Sequence, residues 1–438
     1  MIHMRGIMTG RFFLASGLVL AIAAAMPCYA QAPQKLTLAD AEAMAMKNHP
    51  RLQSAELRAE AAKELVTEVR SAYFPFASAN LTGVESSASS RIAAGGLNNP
   101  VIFTRYSNGL TVSQLLTDFG RTHELSKAAQ SGAEARAQSA AATRADILLQ
   151  VDRAYYRAQQ AQTVLRVAEE TVKSRQLVSD QATALEKNKL KSSLDVSFAN
   201  VNLQEAKLLL VQAQNQLDAA FADLSTALGY PQQHVFDLEE QSLPSPPPAD
   251  PAPLIDEALR QRPELLGQRS SRDSARSFAK AERDLWLPTI NAVGSAGLTP
   301  VFQDNQLKDH YAAAGFNVNI PIFNGRLFNA RKAEADLQAQ AADQDVRALE
   351  DQISHDVRTA WLNANTAYQR LDLTDQLFRE ASMALNLAQA RYKLGLSSIV
   401  ELSQAQLSQT EAEIQQASAK YDYQIQYAML NYEIGRRR

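Results

Sequence analysis

Four stretches of the chain alternate apolar and polar residues with a period of two, the pattern of a β-strand that has one apolar face. In residues 315–323, for example, four large apolar side chains alternate with Asn317, Asn319 and Pro321. The pattern predicts strands at about 76–85, 106–116, 289–298 and 313–323. Because proline cannot donate a hydrogen bond to a neighbouring strand, Pro321 is compatible only with an edge, a bulge or the end of the fourth strand.

Strands of this length suit a tilted membrane span with lipid on one side and water on the other. A small soluble antiparallel sheet has the same pattern. Four strands cannot close a barrel, and an open edge in lipid leaves backbone groups unpaired at a cost of several kcal/mol each. A membrane barrel would therefore have to be shared between subunits. Two chains would leave no bore, whereas three would supply twelve strands and an aqueous lumen, so we expect three.

The rest of the chain is predicted to be helical. Residues 121–184 contain no proline, and about 64 residues at 1.5 Å each give a helix on the order of 100 Å long. Two shorter runs, 51–74 and 194–228, come close to this length when placed end to end, and the second half of the chain repeats the arrangement. Small residues at alternating steps of three and four, such as Ala154 and Ala158, indicate a left-handed coiled coil whose helix axes approach closely.

The two halves of the chain repeat the same signals in the same order, roughly two hundred residues apart. An Asn-His-Pro-Arg-Leu sequence at 48–52 opens the first helical unit, and Gln-Arg-Pro-Glu-Leu at 261–265 opens the second. We divide the chain into a signal peptide at 1–30, a first repeat at 31–230, a proline-rich connector at 231–253 and a second repeat at 254–438. Two copies of one supersecondary unit must stack to bury their apolar faces.

The first 30 residues have the features of a secretory signal peptide. Arg5 and Arg11 precede an apolar run at 12–26, and Cys28-Tyr29-Ala30 ends in the small-x-small pattern of a cleavage site. Pro27 before Cys28 does not fit a lipoprotein site, so no lipid anchor is expected. The apolar run is also shorter than the roughly 20 residues of a membrane-spanning helix.

Composition narrows the possible functions. The formal net charge is −3, and removal of residues 1–30 takes away two arginines and no acid, which leaves −5, and also takes away the only cysteine. Disulfides and cysteine metal sites are then not expected, and an acidic chain offers no basic surface to nucleic acid. The six histidines show no ligand spacing, and no catalytic triad or phosphate loop is present. We expect no enzyme activity, no cofactor and no metal.

Taken in order, these sequences resemble the outer-membrane efflux proteins of Gram-negative bacteria, the trimeric channel-tunnels of the TolC type. The resemblance covers residues 31–438. It rests on the duplicated Asn/Gln-x-Pro-x-Leu openings, on the aromatic residues just before Pro75 and Pro288, and on the sequence Tyr-Lys-Leu-Gly-Leu-Ser-Ser-Ile-Val-Glu at 392–401.

The resemblance implies a mainly α-helical fold with a membrane β-barrel portion. Each chain would contribute long antiparallel helices and two strands per repeat, and a homotrimer would form a twelve-stranded outer-membrane barrel continuous with a periplasmic α-helical barrel. The implied function is the passive exit duct of a tripartite export system, in which an inner-membrane transporter and a periplasmic adaptor deliver drugs, small toxic compounds or secreted protein. A soluble periplasmic coiled-coil adaptor or scaffold is the alternative that the helical segments also allow.

The resemblance also names residues at the helix turns. A periplasmic gate is implied at Tyr392, Glu401, Asp195, Gln404 and Ser397, with Asp195 accepting a hydrogen bond from Tyr392 and three copies of Glu401 forming a cation-favouring ring. Gln404 and Ser397 stand where some members have a second acid and a basic residue. The implied adaptor contacts are Gly395, Leu396, Ser398, Lys189, Leu190 and Ser192. Without the resemblance, Glu401 and Asp195 are acidic residues near helix N-termini, where they are favourable in any case.

Overall fold

The structure of the chain is a computed structural model that describes residues 35–85, 91–94, 97–101, 105–299 and 309–436. The expected signal peptide at 1–30 lies outside these residues. Eight α-helices occur in the described part of the chain: α1 (Leu38–Asn48), α2 (Pro50–Arg70), α3 (Arg121–Lys187), α4 (Ser193–Ala227), α5 (Ala252–Gln261), α6 (Pro263–Arg283), α7 (Leu327–Lys393) and α8 (Ile399–Glu433). In the same part, the strands are β1 (Phe76–Val84), β2 (Arg91–Ala94), β3 (Leu97–Val101), β4 (Arg105–Thr117), β5 (Thr289–Leu298) and β6 (His310–Asn319).

The long helices have the expected lengths. α3 and α7 contain 67 residues each, or roughly 100 Å of helix. α2 and α4 contain 21 and 35 residues, as α6 and α8 do in the second repeat. Within the part of the chain that the structure describes, no helix is both long and apolar enough to cross a membrane.

The repeat is visible in how the short helices meet. Gly229, at the end of α4, has φ of +80°, and a Cβ atom there would lie 3.0 Å from the backbone of Asn48. Gly435, at the end of α8, has φ of +79°, and a Cβ atom there would lie 3.2 Å from the backbone of Arg262. In both repeats a glycine therefore packs directly on the residue pair that precedes the helix-opening proline. This contact stacks α4 on α2 and α8 on α6.

The four strands that the sequence predicts form one antiparallel sheet in the order β1-β4-β5-β6. The central pair, β4 and β5, joins the two repeats, and β1 and β6 are the edges. β1 and β4 lie within a residue of the expected ends, and β5 has the expected ends. The prediction for the fourth strand was wrong by three to four residues, since β6 spans 310–319 instead of 313–323. Pairing ends at Thr289↔Asn319 because Pro321 has no N–H to donate.

The pairing register separates the two faces of this sheet, since directly paired residues share a face. Ser78 pairs with Thr111, Thr111 with Ser295, and Asn291 with Asn317, so one face is polar across all four strands. The other face carries the apolar side chains, among them Ala79, Leu110, Val112, Ile290, Ala296, Phe316 and Val318.

Tyr311 lies flat on the polar face of the sheet. It pairs with Gly297, which in turn pairs with Gly109. Cβ atoms at Gly109 and Gly297 would lie 2.2 and 2.8 Å from the Tyr311 hydroxyl oxygen. The ring therefore covers two glycines on adjacent strands, an arrangement that protects backbone which lacks side chains.

Two further segments join the main elements. The loop between β1 and β4 contains the short hairpin β2–β3, and the connector, predicted at 231–253, ends at α5, which begins at Ala252. The connector is extended and is held against the long helices by side chains. The Tyr155 hydroxyl lies 2.7 Å from the carbonyl oxygens of both Leu36 and Glu239, and the Tyr423 hydroxyl donates to the Ser245 carbonyl at 2.6 Å. Burial raises the pKa of Tyr155 to about 12, so it remains a neutral donor.

The largest apolar core surrounds α3 near this connector. Val151, Ala158 and Leu224 are fully buried there, which fits the predicted small-residue seam. A corresponding core in the second repeat contains Leu265, Ile353 and Val357. In α8, Leu407 stands at seven-residue spacing with Ile414, Tyr421 and Ala428 but is 44% exposed. Near the end of the described chain, Arg436 binds Glu257 through two N–H···O bonds of 2.8 and 2.9 Å.

Candidate functional site

The sequence-predicted site residues lie at the two helix turns, α3–α4 and α7–α8, which have the same backbone. Lys189 and Gly395 occupy the left-handed region with φ of +59° and +70°. The N–H of Leu190 bonds to Leu185 and that of Leu396 to Arg391, at 2.9 and 2.8 Å. This is the usual way to end a helix with one left-handed residue. A lysine in this conformation costs about 1–2 kcal/mol more than glycine.

Each turn is followed by a serine that caps the next helix. Ser192 Oγ accepts from the Asp195 N–H at 3.3 Å, and Asp195 Oδ2 accepts from the Ser192 N–H and hydroxyl at 3.0 and 2.9 Å. Ser398 Oγ accepts from the Glu401 N–H at 3.3 Å. Two of the expected adaptor contacts, Ser192 and Ser398, therefore have a local structural role.

Tyr392 is fixed by the packing of its aromatic ring. It is 6% exposed and packs in a cluster with Ala388, Ile399 and Leu402, while the Lys191 ammonium lies 4.3 Å from the ring centroid. Its hydroxyl has no hydrogen-bond partner among the described residues. Burial and the nearby Asp195 carboxylate raise the pKa of Tyr392. The expected hydrogen bond from Tyr392 to Asp195 is thus not formed, because Asp195 caps its own helix.

Glu401 has a partner that sequence reasoning missed. Arg391 Nε lies 3.2 Å from Glu401 Oε1, and Arg391 Nη2 donates to the Leu396 carbonyl at 3.4 Å. The guanidinium therefore joins both helices and the turn between them. The Glu401 carboxylate, which was expected to make the entrance cation-favouring, is thus paired with an arginine of its own chain. Gln404 is exposed, and Ser397 is half-buried with an Oγ atom that has no partner in the described structure.

Polar contacts link the α3–α4 hairpin to the α7–α8 hairpin near these turns. Asn202 Nδ2 donates to Ser403 Oγ at 2.5 Å, and Arg175 Nη1 donates to Gln406 Oε1 at 2.5 Å. Near the turns, these polar contacts add to the packing of Val178 of α3 against the Tyr392 cluster. None of these four residues was singled out by the sequence, since each is an ordinary surface residue type on an amphipathic helix.

Exposed aromatic residues collect where the strands meet the helices. Phe74, Phe119 and Phe323 are between 54% and 86% exposed. Aromatic belts of this kind lie at the interfaces of membrane barrels. Large apolar side chains are also exposed at the opposite ends of the helices, where Leu190, Leu394 and Leu396 are 69%, 74% and 66% exposed.

Comparison with known proteins agrees with this geometry. The profile of the family described as "Outer membrane efflux protein" matches residues 43–230 and 254–436. The chain belongs to this family. Its outer membrane efflux relatives include the outer membrane protein TolC of Vibrio cholerae, 27% identical over 95% of each chain. TolC of Salmonella enteritidis is 24% identical over 66% of this chain and 61% of its own length.

Solved structures show the same fold. A membrane protein from Pseudomonas aeruginosa superposes with a TM-score of 0.79 at 23% identity, over 91% of this chain and 93% of the other. The predicted fold class is confirmed, with an α-helical barrel part and a β-barrel part. The predicted location in the outer membrane, extending into the periplasm, and the predicted function as an outer-membrane efflux channel are confirmed as well. The soluble scaffold is therefore excluded.

Proposed function

We propose that three copies of this chain form one passive exit duct. The observation that carries the proposal is the open sheet: four strands end in two unpaired edges, β1 and β6, although one face is apolar across every strand. Pairing β6 of one copy with β1 of the next removes both edges. Three copies then give twelve strands around a bore lined by the polar face, while the apolar face contacts outer-membrane lipid.

The helix turns serve as the periplasmic gate of this duct. Tyr392, Asp195, Ser397, Glu401 and Gln404 lie at the ends of the hairpins, as far from the sheet as the long helices reach. Tyr392 is buried against the cluster on its own hairpin and against Lys191 of the other hairpin. Separation of the hairpins would expose this ring, so its packing favours the closed arrangement.

The same ends contact a periplasmic adaptor, which joins the duct to an inner-membrane transporter that drives export. Leu190 and Leu396 supply exposed apolar side chains on tight turns, beside Lys189 and Gly395. Apolar residues surrounded by polar ones at an exposed end are typical of a protein interaction site. The first turn carries three lysines, at 187, 189 and 191, so the two turns present different charge to the adaptor.

Planar-bilayer recording of the detergent-purified protein, together with its mass in solution, tests the proposal. We expect a trimer with stepwise conductance. Glu401→Lys and Tyr392→Ala at the gate should change the conductance or the open probability. A monomer without conductance would overturn the trimeric duct, and a conducting trimer that neither substitution alters would overturn the gate.

A further inference from the structure

Arg175 is a buried cation without an ion-pair partner in the described part of the chain. It lies on α3, is 6% exposed, and forms none of the ion pairs found among the described residues. Its one hydrogen bond to the rest of the described chain is the 2.5 Å donation to Gln406 Oε1. Burial lowers the pKa of Arg175, and the Glu205 carboxylate opposes this at a distance. Arginine nevertheless stays charged in proteins, and most of its five N–H donors are unused here.

Gln406 adds a second unused donor beside it. The residue lies on α8 and is 3% exposed. Its Oε1 atom accepts from Arg175, while its Nε2 atom has no partner in the described part of the chain. A buried donor without an acceptor costs about 1–3 kcal/mol, and an uncompensated buried charge costs more. Both costs would be offset by one negatively charged acceptor placed between the two side chains.

A cavity of about 240 Å³ adjoins both donors. It lies between α3, α7 and α8 and has room for an ion with several waters. Two of the three hydroxyl groups on its wall already donate, Thr171 to the Val167 carbonyl and Thr410 to the Gln406 carbonyl, and the third belongs to Ser174. Glu413 on the wall accepts from Gln409 at 2.9 Å and does not pair with Arg175.

We propose that this cavity binds a chloride ion, held by the Arg175 guanidinium and the Gln406 amide N–H. The wall also carries the carboxylates of Glu170 and Glu413, which repel any anion and repel a multiply charged oxyanion more strongly than an ion with a single negative charge. Chloride accepts hydrogen bonds from any direction, so it fits two donors that come from different helices.

The position of the site links it to the movement of the hairpins. Arg175 belongs to the α3–α4 hairpin and Gln406 to the α7–α8 hairpin, so both donors reach the ion only when the hairpins are together. A ligand that binds one arrangement better shifts the protein toward it. Chloride therefore stabilises the joined hairpins. This consequence rests on the proposed gate, whereas the binding site does not.

Chloride NMR line broadening of the full-length protein in detergent tests the site directly. We expect saturable broadening in a background of gluconate at constant ionic strength. Arg175→Gln should abolish it, while Arg157→Gln, which removes the same charge from an exposed position on α3, should leave it unchanged. Absence of saturable broadening in the unsubstituted protein, or its persistence in Arg175→Gln, would overturn the proposal.

A second variant tests the site independently, in case Arg175→Gln does not fold. Gln406→Met keeps the arginine and a side chain of similar length but removes the amide donor, and it should weaken chloride binding at least several-fold. Unchanged affinity in a folded Gln406→Met protein would contradict the proposed ligand set. Open probability in bilayers, compared between chloride and gluconate, tests the linkage separately: chloride binding without an effect on opening would overturn the linkage and leave the site intact.

Discussion

At the scale of single residues, the unpaired hydroxyl of Tyr392 gives a prediction that differs from a hydrogen-bonded gate. Because this buried hydroxyl has no partner in the described structure, Tyr392→Phe should leave the closed state intact or slightly more stable. Tyr392→Ala should remove the buried ring and cost about 3–5 kcal/mol of packing, most of it within the α7–α8 hairpin. Single-channel open probability checks both. A large rise in the open probability of the Tyr392→Phe variant would show that the hydroxyl forms a hydrogen bond in the closed state.

Arg391 gives the second residue-scale prediction. Its guanidinium pairs with Glu401 at 3.2 Å, so Arg391→Gln should leave three uncompensated carboxylates at the entrance of a trimer and raise cation selectivity several-fold. The reversal potential in a salt gradient measures this. The double variant Arg391→Gln/Glu401→Gln should restore the original selectivity, and equal selectivity in the single and double variants would mean that Glu401 lies outside the conduction path.

At the scale of residues, the sequence predicted Tyr392 and Glu401 but not the residues that contact them. Tyr392 and Glu401 were predicted because the order of residues at 392–401 resembles a family. Their partners were not predicted, because Lys191 and Arg391 approach them across a turn or from another hairpin. The capping serines were predicted as adaptor contacts, although a serine three positions before an acid already indicates a helix N-terminus.

At the scale of elements, two glycines that follow helix ends should differ in how much stability a change to alanine costs. Gly229→Ala meets both a left-handed φ and the backbone of Asn48 at 3.0 Å, whereas Gly395→Ala, at φ of +70°, has nothing within 4 Å. The first should therefore cost at least about 1 kcal/mol more than the 1–2 kcal/mol expected for the second. Thermal unfolding of the two variants gives the comparison. Equal destabilisation would show that the junction of α2 and α4 yields easily.

The two faces of β6 predict opposite results for neighbouring substitutions. Phe316→Arg places a charge on the apolar face and should destabilise the inserted barrel by about 2–4 kcal/mol if it lies near the bilayer centre. Asn317→Arg adds the same charge to the polar face, where it should be tolerated and should reduce cation conductance. Heat stability of the trimer on gels and bilayer recording measure the two effects. Equal loss of assembly in both would contradict the assignment of faces.

The ends of the elements were less predictable than their existence. Alternation located all four strands of the sheet, because one face is apolar in each. In β6 the alternation continues past Asn319 into Ile320 and Ile322, which are exposed and unpaired with β5, so hydrophobicity alone placed the strand too late. Only the pairing with β5 sets its end.

At the scale of the whole molecule, we expect the hydrogen bonds that hold the extended connector to contribute to the stability of the protein. The Tyr155 hydroxyl bridges Leu36 and Glu239, so Tyr155→Phe should cost about 1–3 kcal/mol and increase protease cleavage in the connector. Tyr368→Phe on α7 is a matched control: its hydroxyl is in no hydrogen bond found in the described structure, and the change should stay within about 0.5 kcal/mol. Equal cleavage of both variants would mean that other contacts hold the connector.

The overall architecture was predictable because it follows from duplication and length. The two equal repeats and the helices on the order of 100 Å can be read from the sequence, and four strands too few to close a barrel favour the proposed assembly of several chains. The path of the connector was not predictable. A proline-rich sequence indicates only an extended segment, and the tyrosine hydroxyl groups that bind the connector lie on helices far from it in sequence.

The flat position of Tyr311 has a consequence for the width of the duct. Its ring covers Gly109 and Gly297, so at this level a single aromatic ring takes the place of the two missing side chains. A methyl group at position 109 would meet mainly the movable tyrosine hydroxyl, whereas one at position 297 would also meet the Asn108 carbonyl oxygen at 2.2 Å. A larger residue at position 109 should therefore turn the Tyr311 ring toward the bore of the proposed duct and narrow it, while the strands keep their places.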